Sequence, residues 1–268
     1  DSIIVMDVIK EILYNAILFD LSEAQCKELI VAAREASKYA ETFYEYQVEK
    51  LDQVHSLYAQ ATKSYGFYLL EKTLKKDEGL DVLKQSLEEI EKINHTKSRL
   101  TAKEEILELM ATTLMYSEMY NDAELIIKEA QDAIENMLRN EWIEKQNYNV
   151  KSATYENNLG HIDRVRGDLE NAIRHFEKSL TYWAMENKIE DMANTYYNVA
   201  VIRCLLSSEA NDVADALSEA NEALELSTKL GMTDTTLLSL GVVALGKLVL
   251  NQADDSLEVV RRIRVNIS

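Results

Sequence analysis

The residues best suited to chemistry are sparse in this chain, and they form no recognisable catalytic arrangement. The four histidines are His55, His95, His161 and His175, and no two of them have the i, i+4 spacing of a helical zinc site. The sequence contains no Cys-x-x-Cys pair, no glycine-rich phosphate loop and no nucleophile elbow. We therefore expect no catalytic residue, no metal ligand and no cofactor, and we do not expect an enzyme.

Adjacent glutamates and two of the histidines have competing interpretations. The pairs Glu88-Glu89 and Glu104-Glu105 are typical of solvated helix faces rather than acid-base couples. His175 is expected to face solvent. His161 is either a half-buried packing residue or a contact to a bound ligand, and the sequence leaves both interpretations open.

The composition favours a helical protein. Of the 268 residues, 47% are apolar, seven are Gly and none is Pro, whereas turn-rich β folds depend on Gly and Pro. The net charge of −18 disfavours direct binding to nucleic acid, and no membrane segment is visible. Two distant cysteines, Cys26 and Cys204, favour a reducing, cytoplasmic location. The chain begins with Asp1 rather than Met, which leaves open whether it is part of a longer protein.

Four segments repeat one pattern of small and apolar residues, which predicts pairs of packed helices. An apolar-then-small pair marks each first helix, and a small residue follows the pair's small member by 12, 12, 16 and 12 residues to open the second helix. Small residues at these columns let two helices cross closely. The first-helix pairs are Met110-Ala111, Leu159-Gly160, Val199-Ala200 and Leu240-Gly241, and the opening residues are Ala123, Ala172, Ala216 and Ala253.

Each second helix continues the pattern four and seven places further on, which predicts one buried face. These positions hold Ile127 and Ala130, Phe176 and Ser179, Ala220 and Ala223, and Leu257 and Val260. Aspartates precede three second helices in Asn121-Asp122, Gly167-Asp168 and Asn211-Asp212, where we expect them to cap the helix.

These columns resemble the tetratricopeptide repeat (TPR) family, whose pattern runs apolar-x2-Leu-Gly, then Ala-x3-Phe-x2-Ala. The likeness is best in 151–186 and covers 104–265, with first-helix spacings of 49, 40 and 41 residues that match a long-repeat variant found in signalling and scaffold proteins. The family's first-helix Tyr and closing Pro are absent. The resemblance implies an all-α, right-handed α-α superhelix.

The first hundred residues carry a weaker pattern. Tyr65-Gly66 with Leu83 and Ser86 is consistent with a degenerate repeat, and helix breaks are expected near 20–22 and 49–52. We predict twelve helices in six pairs, forming one solenoid domain over 1–268 with four repeats in 104–265. A helical bundle over 1–75 followed by the solenoid is the alternative.

The resemblance also implies a ligand-facing groove on the first helices. Two asparagines, Asn158 and Asn198, share one column, and an amide offers both a donor and an acceptor to a peptide backbone. Related repeats use Asn in this way; the alternative is that these side chains support neighbouring helices. The predicted groove consists of Asn157, Asn158, His161, Arg164, Asn194, Tyr197, Asn198, Val201, Leu205 and Leu238.

The sequence thus predicts a peptide- or protein-binding module, the sensor or scaffold part of an intracellular signalling protein, with no direct nucleic-acid or membrane partner. One alternative is the ligand-sensing domain of a bacterial peptide-responsive regulator or response-regulator phosphatase whose effector lies outside this chain. Another is a structural homodimer or larger oligomer joined through the aromatic-rich N-terminal helices.

Overall fold

A computed structural model describes residues 2–206 and 210–267, and within 210–267 it leaves out the side chains at 210–212, 253 and 264–267. The predicted cap Asn211-Asp212 and the predicted packing residue Ala253 therefore lie outside the described side chains. Throughout the described ranges, all regular secondary structure is helical. No helix among them is both long enough and apolar enough to cross a membrane.

Twelve helices make up the described chain, as predicted. The first six are α1 (Ser2–Tyr14), α2 (Glu23–Phe43), α3 (Val48–Glu71), α4 (Lys76–Ile90), α5 (Thr96–Tyr116) and α6 (Tyr120–Arg139). The last six are α7 (Lys145–Arg166), α8 (Leu169–Met185), α9 (Ile189–Leu206), α10 (Ala210–Leu230), α11 (Thr233–Val249) and α12 (Ala253–Ile267).

The chain divides into two compact units, residues 1–143 and 144–268. Within each unit, successive helices pack as pairs: α3 with α4 and α5 with α6 in the first, α7 with α8, α9 with α10 and α11 with α12 in the second. In the first unit, α1 packs against both α2 and α3. The odd-numbered helices are the first helices of the predicted pairs and the even-numbered helices are the second.

Small residues lie where the two helices of a pair cross. A Cβ atom added to Gly160 would lie 2.9 Å from the ring of the buried Phe176. In the first unit, a Cβ on Gly66 would lie 2.9 Å from Leu83, and one on Gly79 would lie 3.2 Å from the Gly66 carbonyl oxygen. The degenerate repeat predicted around Gly66 is therefore a true helix pair.

Serine takes the small-residue column of two second helices and adds a hydrogen bond there. The Ser179 hydroxyl donates to the carbonyl of Ala153 at 2.9 Å, and the Ser86 hydroxyl donates to the carbonyl of Ala59 at 2.7 Å. Both serines are fully buried. Each hydroxyl is thus satisfied by the first helix of its own pair.

Of the two predicted aspartate caps whose side chains are described, one is confirmed and one is wrong. Asp168 accepts a hydrogen bond from the Asn171 amide at 3.3 Å, after Gly167 has ended α7 in the left-handed region with φ 81°. Asp122 does not cap α6, because that helix begins at Tyr120 and its N-cap residue, Met119, makes no side-chain cap.

Two further predictions need correction. The second helix break lies at 44–47, ahead of the predicted 49–52, because α3 already begins at Val48. In the last pair, Leu257 and Val260 are exposed, and Ser256 and Val259 are buried instead. The predicted stripe was out of register by one residue, and the Ser256 hydroxyl donates to the Ala244 carbonyl at 2.8 Å.

Gly160 and Gly241 share one column in the sequence but differ in their surroundings, which gives a matched test. We expect Gly160→Ala to lower the free energy of unfolding by about 1–3 kcal/mol, since its Cβ meets the Phe176 ring. Gly241→Ala should raise it by up to about 1 kcal/mol, because nothing lies within 4 Å of that Cβ and Ala is the better helix former. Urea unfolding of the two variants measures the difference, and equal effects would contradict the assigned crossing.

Candidate functional site

The candidate site is the face of unit 144–268 formed by α7, α9 and α11, here called the first-helix face. Polar side chains lie between neighbouring helices of this face. The Thr235 hydroxyl on α11 donates to Oδ1 of Asn194 on α9 at 2.7 Å. The Thr195 hydroxyl on α9 lies 3.4 Å from Oδ1 of Asn157 on α7, but its single proton goes to the Asp191 carbonyl of its own helix at 2.7 Å. Of the predicted groove residues, Asn194 therefore helps to hold α9 to α11, and Asn157 contacts α9.

The other two asparagines behave differently. Neither Asn158 nor Asn198 takes part in a side-chain hydrogen bond within the described parts of the chain. Asn158 is half-buried and Asn198 is only 9% exposed. Their amide atoms keep access to solvent, so each can donate to or accept from an external hydrogen-bonding group. In the same predicted column, Ser239 has a fully buried hydroxyl that also lacks a partner.

His161 is held by packing and by Arg164. Its ring meets the ring of Phe176 edge-on, with centroids 5.1 Å apart. Arg164 Nη2 lies 3.4 Å from Nδ1 of His161, where the guanidinium can only donate, so Nδ1 accepts and the imidazole is neutral. Burial and, next, the charge of Arg164 lower the pKa of His161 to about 4. His161 can offer a neutral imidazole to a ligand but not a cation at neutral pH.

The remaining predicted residues supply apolar surface. Tyr197 and Val201 are half-buried, whereas Leu205 is 68% and Leu238 is 51% exposed. The other large exposed side chains near the C-terminal ends of α7, α9 and α11 are Val165, Leu206, Leu245, Leu248 and Val249. The face thus combines polar amides along its middle with exposed apolar side chains towards one end of its helices.

Sequence reasoning missed one threonine and misjudged several charged residues. Thr195 followed no column, and Thr235, which shares the column of Asn194 and was expected to face a ligand, instead donates to Asn194. His175, expected in solvent, is half-buried and pairs with the buried Glu156 at 2.7 Å. Glu89 and Glu104, expected on solvated faces, are both buried. Because His55 reaches Glu89 and Glu156 reaches His175 from another helix, spacing along one helix gave no signal of these contacts.

Comparison with known proteins supports the architecture. No family model matches the sequence, and no curated protein matches it. Among solved structures, a putative kinesin light chain with TPR-like repeats from Podosopora anserina aligns with a TM-score of 0.54 at 11% identity, covering 79% of this chain and 95% of that one. The chain has a TPR-like fold. The all-α class and the family likeness expected from the repeat columns are thereby confirmed.

Two further structures with this fold align over nearly the whole chain. The apo form of RapI aligns with a TM-score of 0.64 at 12% identity, covering 97% of this chain and 76% of that one. Aspartyl phosphate phosphatase F from Bacillus subtilis aligns with a TM-score of 0.62 at 13% identity, covering 99% of this chain and 74% of that one. At these identities the likeness concerns the fold.

The Thr235–Asn194 hydrogen bond gives a stability prediction. Replacing Thr235 with Val keeps the shape of the side chain but removes the donor, so we expect the free energy of unfolding to fall by about 1–2 kcal/mol. Thr228→Val on the exposed surface of α10 is the control and should change it little. Chemical denaturation of both variants gives the comparison, and equal losses would indicate that the hydrogen bond contributes nothing.

His161 gives a pH prediction. Its pKa falls from 6.5 to about 4 on folding, so between these values the unfolded chain binds more protons than the folded one. Stability contributed by neutral His161 is therefore complete above pH 7 and is lost as pH falls through this window.

Between pH 7 and pH 5 we expect the wild-type chain to lose about 1–2 kcal/mol more stability than His161→Gln. Urea unfolding at the two pH values measures the loss. Equal losses of stability in the two proteins would show that folding does not lower the pKa of His161.

Proposed function

We propose that this protein binds an extended peptide or protein segment on the first-helix face of unit 144–268, and that it acts by binding rather than by catalysis. The observation that carries the proposal is the pair Asn158 and Asn198. They occupy the same column of neighbouring first helices and have no side-chain partner in the described chain.

The chemistry of these two amides suits a peptide backbone. Each side chain offers an acceptor and two donors, and a backbone presents one N–H and one C=O at each non-proline residue. Two such amides on successive helices would hold an extended segment in register without reading its side chains. Since Asn194 accepts a hydrogen bond from Thr235, the helix that presents Asn198 is already held to α11 before a ligand arrives.

The apolar residues and the charge suggest which segments would bind. Leu205 on α9, Leu238 on α11 and Val165 on α7 are exposed and would accept apolar side chains of the ligand. Arg164 is the one cation among the predicted groove residues, and it already lies against His161. We therefore propose a largely apolar peptide with few carboxylates, and we do not propose an acidic C-terminal motif.

The test uses a synthetic library of unstructured hexapeptides selected on the wild-type chain, followed by fluorescence anisotropy with the selected peptides. Asn158→Ala combined with Asn198→Ala should weaken binding by about 30-fold or more, since about 2 kcal/mol of hydrogen bonding is lost. Asn221→Ala on exposed α10 is the matched control and should leave affinity unchanged. Unchanged affinity in a double variant whose circular dichroism spectrum is intact would refute the proposed binding by Asn158 and Asn198.

A sensor role would follow if the ligand bridges α7 and α9. A peptide bonded to Asn158 and Asn198 would link these two helices and shift the population towards one arrangement of them. We propose this as the signalling output, in a cytoplasmic protein whose cysteines both remain thiols. Hydrogen exchange of α7, α9 and α11 with and without a selected peptide tests it, with slower exchange in all three helices as the expected result.

A self-associating scaffold is a second candidate, and exposed aromatic side chains in unit 1–143 favour it. Tyr39 and Phe43 stack with ring centroids 6.3 Å apart yet are 66% and 64% exposed. Tyr14, Phe19 and Tyr46 are also exposed. Multi-angle light scattering of the wild-type chain and of the double variant Tyr39→Ser with Phe43→Ser tests this role. A dimeric wild-type chain and a monomeric variant would support it, and a monomeric wild-type chain would refute it.

A further inference from the structure

Three helices of unit 1–143 bring an imidazole and two carboxylates to one point. His55 on α3, Glu89 on α4 and Glu41 on α2 each offer one ligand atom, and these atoms all lie within 4.8 Å of one another. His55 Nδ1 lies 2.6 Å from Oε1 of Glu89 and 3.7 Å from Oε1 of Glu41. The side chains of His55 and Glu89 are 9% and 7% exposed, and that of Glu41 is 38% exposed.

A similar group in unit 144–268 shows what is unusual about this one. There the buried Glu156 contacts Nδ1 of His175 at 2.7 Å, while Asp163 lies 3.5 Å from Nε2 on the opposite side of the ring. An ion bound to either ring nitrogen of His175 would therefore reach only one of the two carboxylates. At His55, both carboxylates face the same nitrogen, Nδ1.

Two carboxylates at one imidazole nitrogen call for a cation, because a single N–H donates to only one of them well. Lys92 supplies that cation, with Nζ 2.7 Å from Oε2 of Glu89 and 3.5 Å from Oε1 of Glu41. Burial alone would raise the pKa of Glu89, but hydrogen bonds from His55 and Lys92 outweigh it and hold that pKa below its ordinary value.

We propose that Glu41, His55 and Glu89 form a binding site for a divalent transition metal ion of the zinc class, which competes with the Lys92 ammonium for the two carboxylates. One imidazole and two carboxylates are a donor set that zinc accepts, and a fourth position remains for water. Ligand atoms on one tetrahedral zinc ion lie about 3.3 Å apart. The observed separations of 2.6 and 3.7 Å bracket that distance.

This site lies apart from the first-helix face and does not depend on the proposed peptide binding. It also departs from the expectation, drawn from sequence spacing, that the chain holds no metal. A bound ion would join α2 to α3 and α4, and so would stabilise unit 1–143 against unfolding by mass action.

Lys92 makes the proposal distinguishable from a purely structural ion network. Its side chain is 50% exposed, so the ammonium can move into solvent when an ion arrives. Removing that ammonium would weaken an ion network, but it would free both carboxylates for a metal. We therefore expect Lys92→Met to bind zinc about 10-fold or more tightly than the wild-type chain.

The experiment titrates the untagged, chelator-treated full chain with Zn²⁺ at pH 7, using a chromophoric zinc indicator as competitor. We expect one ion per chain. The affinity for zinc should fall by about 10-fold or more in Glu41→Gln. It should not change in His175→Gln, the matched control from the second cluster. Zinc should also raise the thermal unfolding temperature of the wild-type chain and not that of Glu41→Gln. Glu41 is partly exposed, so its variant keeps the test valid if His55→Gln fails to fold.

Three results would overturn the proposal. The first is the absence of a stoichiometric ion on the wild-type chain up to about 100 μM zinc, whether or not Lys92→Met binds one. The second is equal loss of affinity in Glu41→Gln and His175→Gln, which would indicate scattered surface ligands. The third is weaker zinc binding in Lys92→Met than in the wild-type chain.

Discussion

The close crossing of two helices within each pair is the constraint on which the rest of this structure depends. At Gly66 and Gly79 the two backbones nearly touch, and at Gly160 a phenylalanine ring fills the place of a side chain. Larger residues at these positions would force the helices apart. Serine is accepted in the same column because its hydroxyl reaches a carbonyl of the facing helix, as Ser86 and Ser179 do.

Once each pair is fixed, the first helices of unit 144–268 lie side by side, and polar side chains divide into two groups. Asn194 accepts a hydrogen bond from Thr235 of the next first helix, and Asn157 lies 3.4 Å from the Thr195 hydroxyl. Asn158 and Asn198 face away from such partners and keep their hydrogen-bonding capacity. On α7, one residue of helical rotation, about 100°, separates Asn157, which contacts Thr195, from Asn158, which has no side-chain partner in the described chain.

Buried charges form a second theme. Glu89 and Glu156 each accept hydrogen bonds from a histidine and a lysine, which offsets much of the cost of burying a carboxylate. In both cases burial would raise the pKa, and the histidine and lysine contacts outweigh it and lower that pKa. The clusters differ in where the second carboxylate lies, and that difference alone decides whether an ion has a common point to occupy.

The sequence by itself determined the helical class, the number of helices and the columns of small residues in most pairs, because these depend on spacing within about 20 residues. It placed Ala123, Ala172 and Ala216 correctly in the core. The prediction for the last pair was wrong, since Leu257 and Val260 are more apolar than Ser256 and no less apolar than Val259, the residues that are buried there. Only the tertiary structure decided which of two adjacent asparagines contacts the next first helix, and which helices bring Glu41, His55 and Glu89 together. Those outcomes depend on the rotation of one helix against another, and a repeat pattern along the chain does not carry that information.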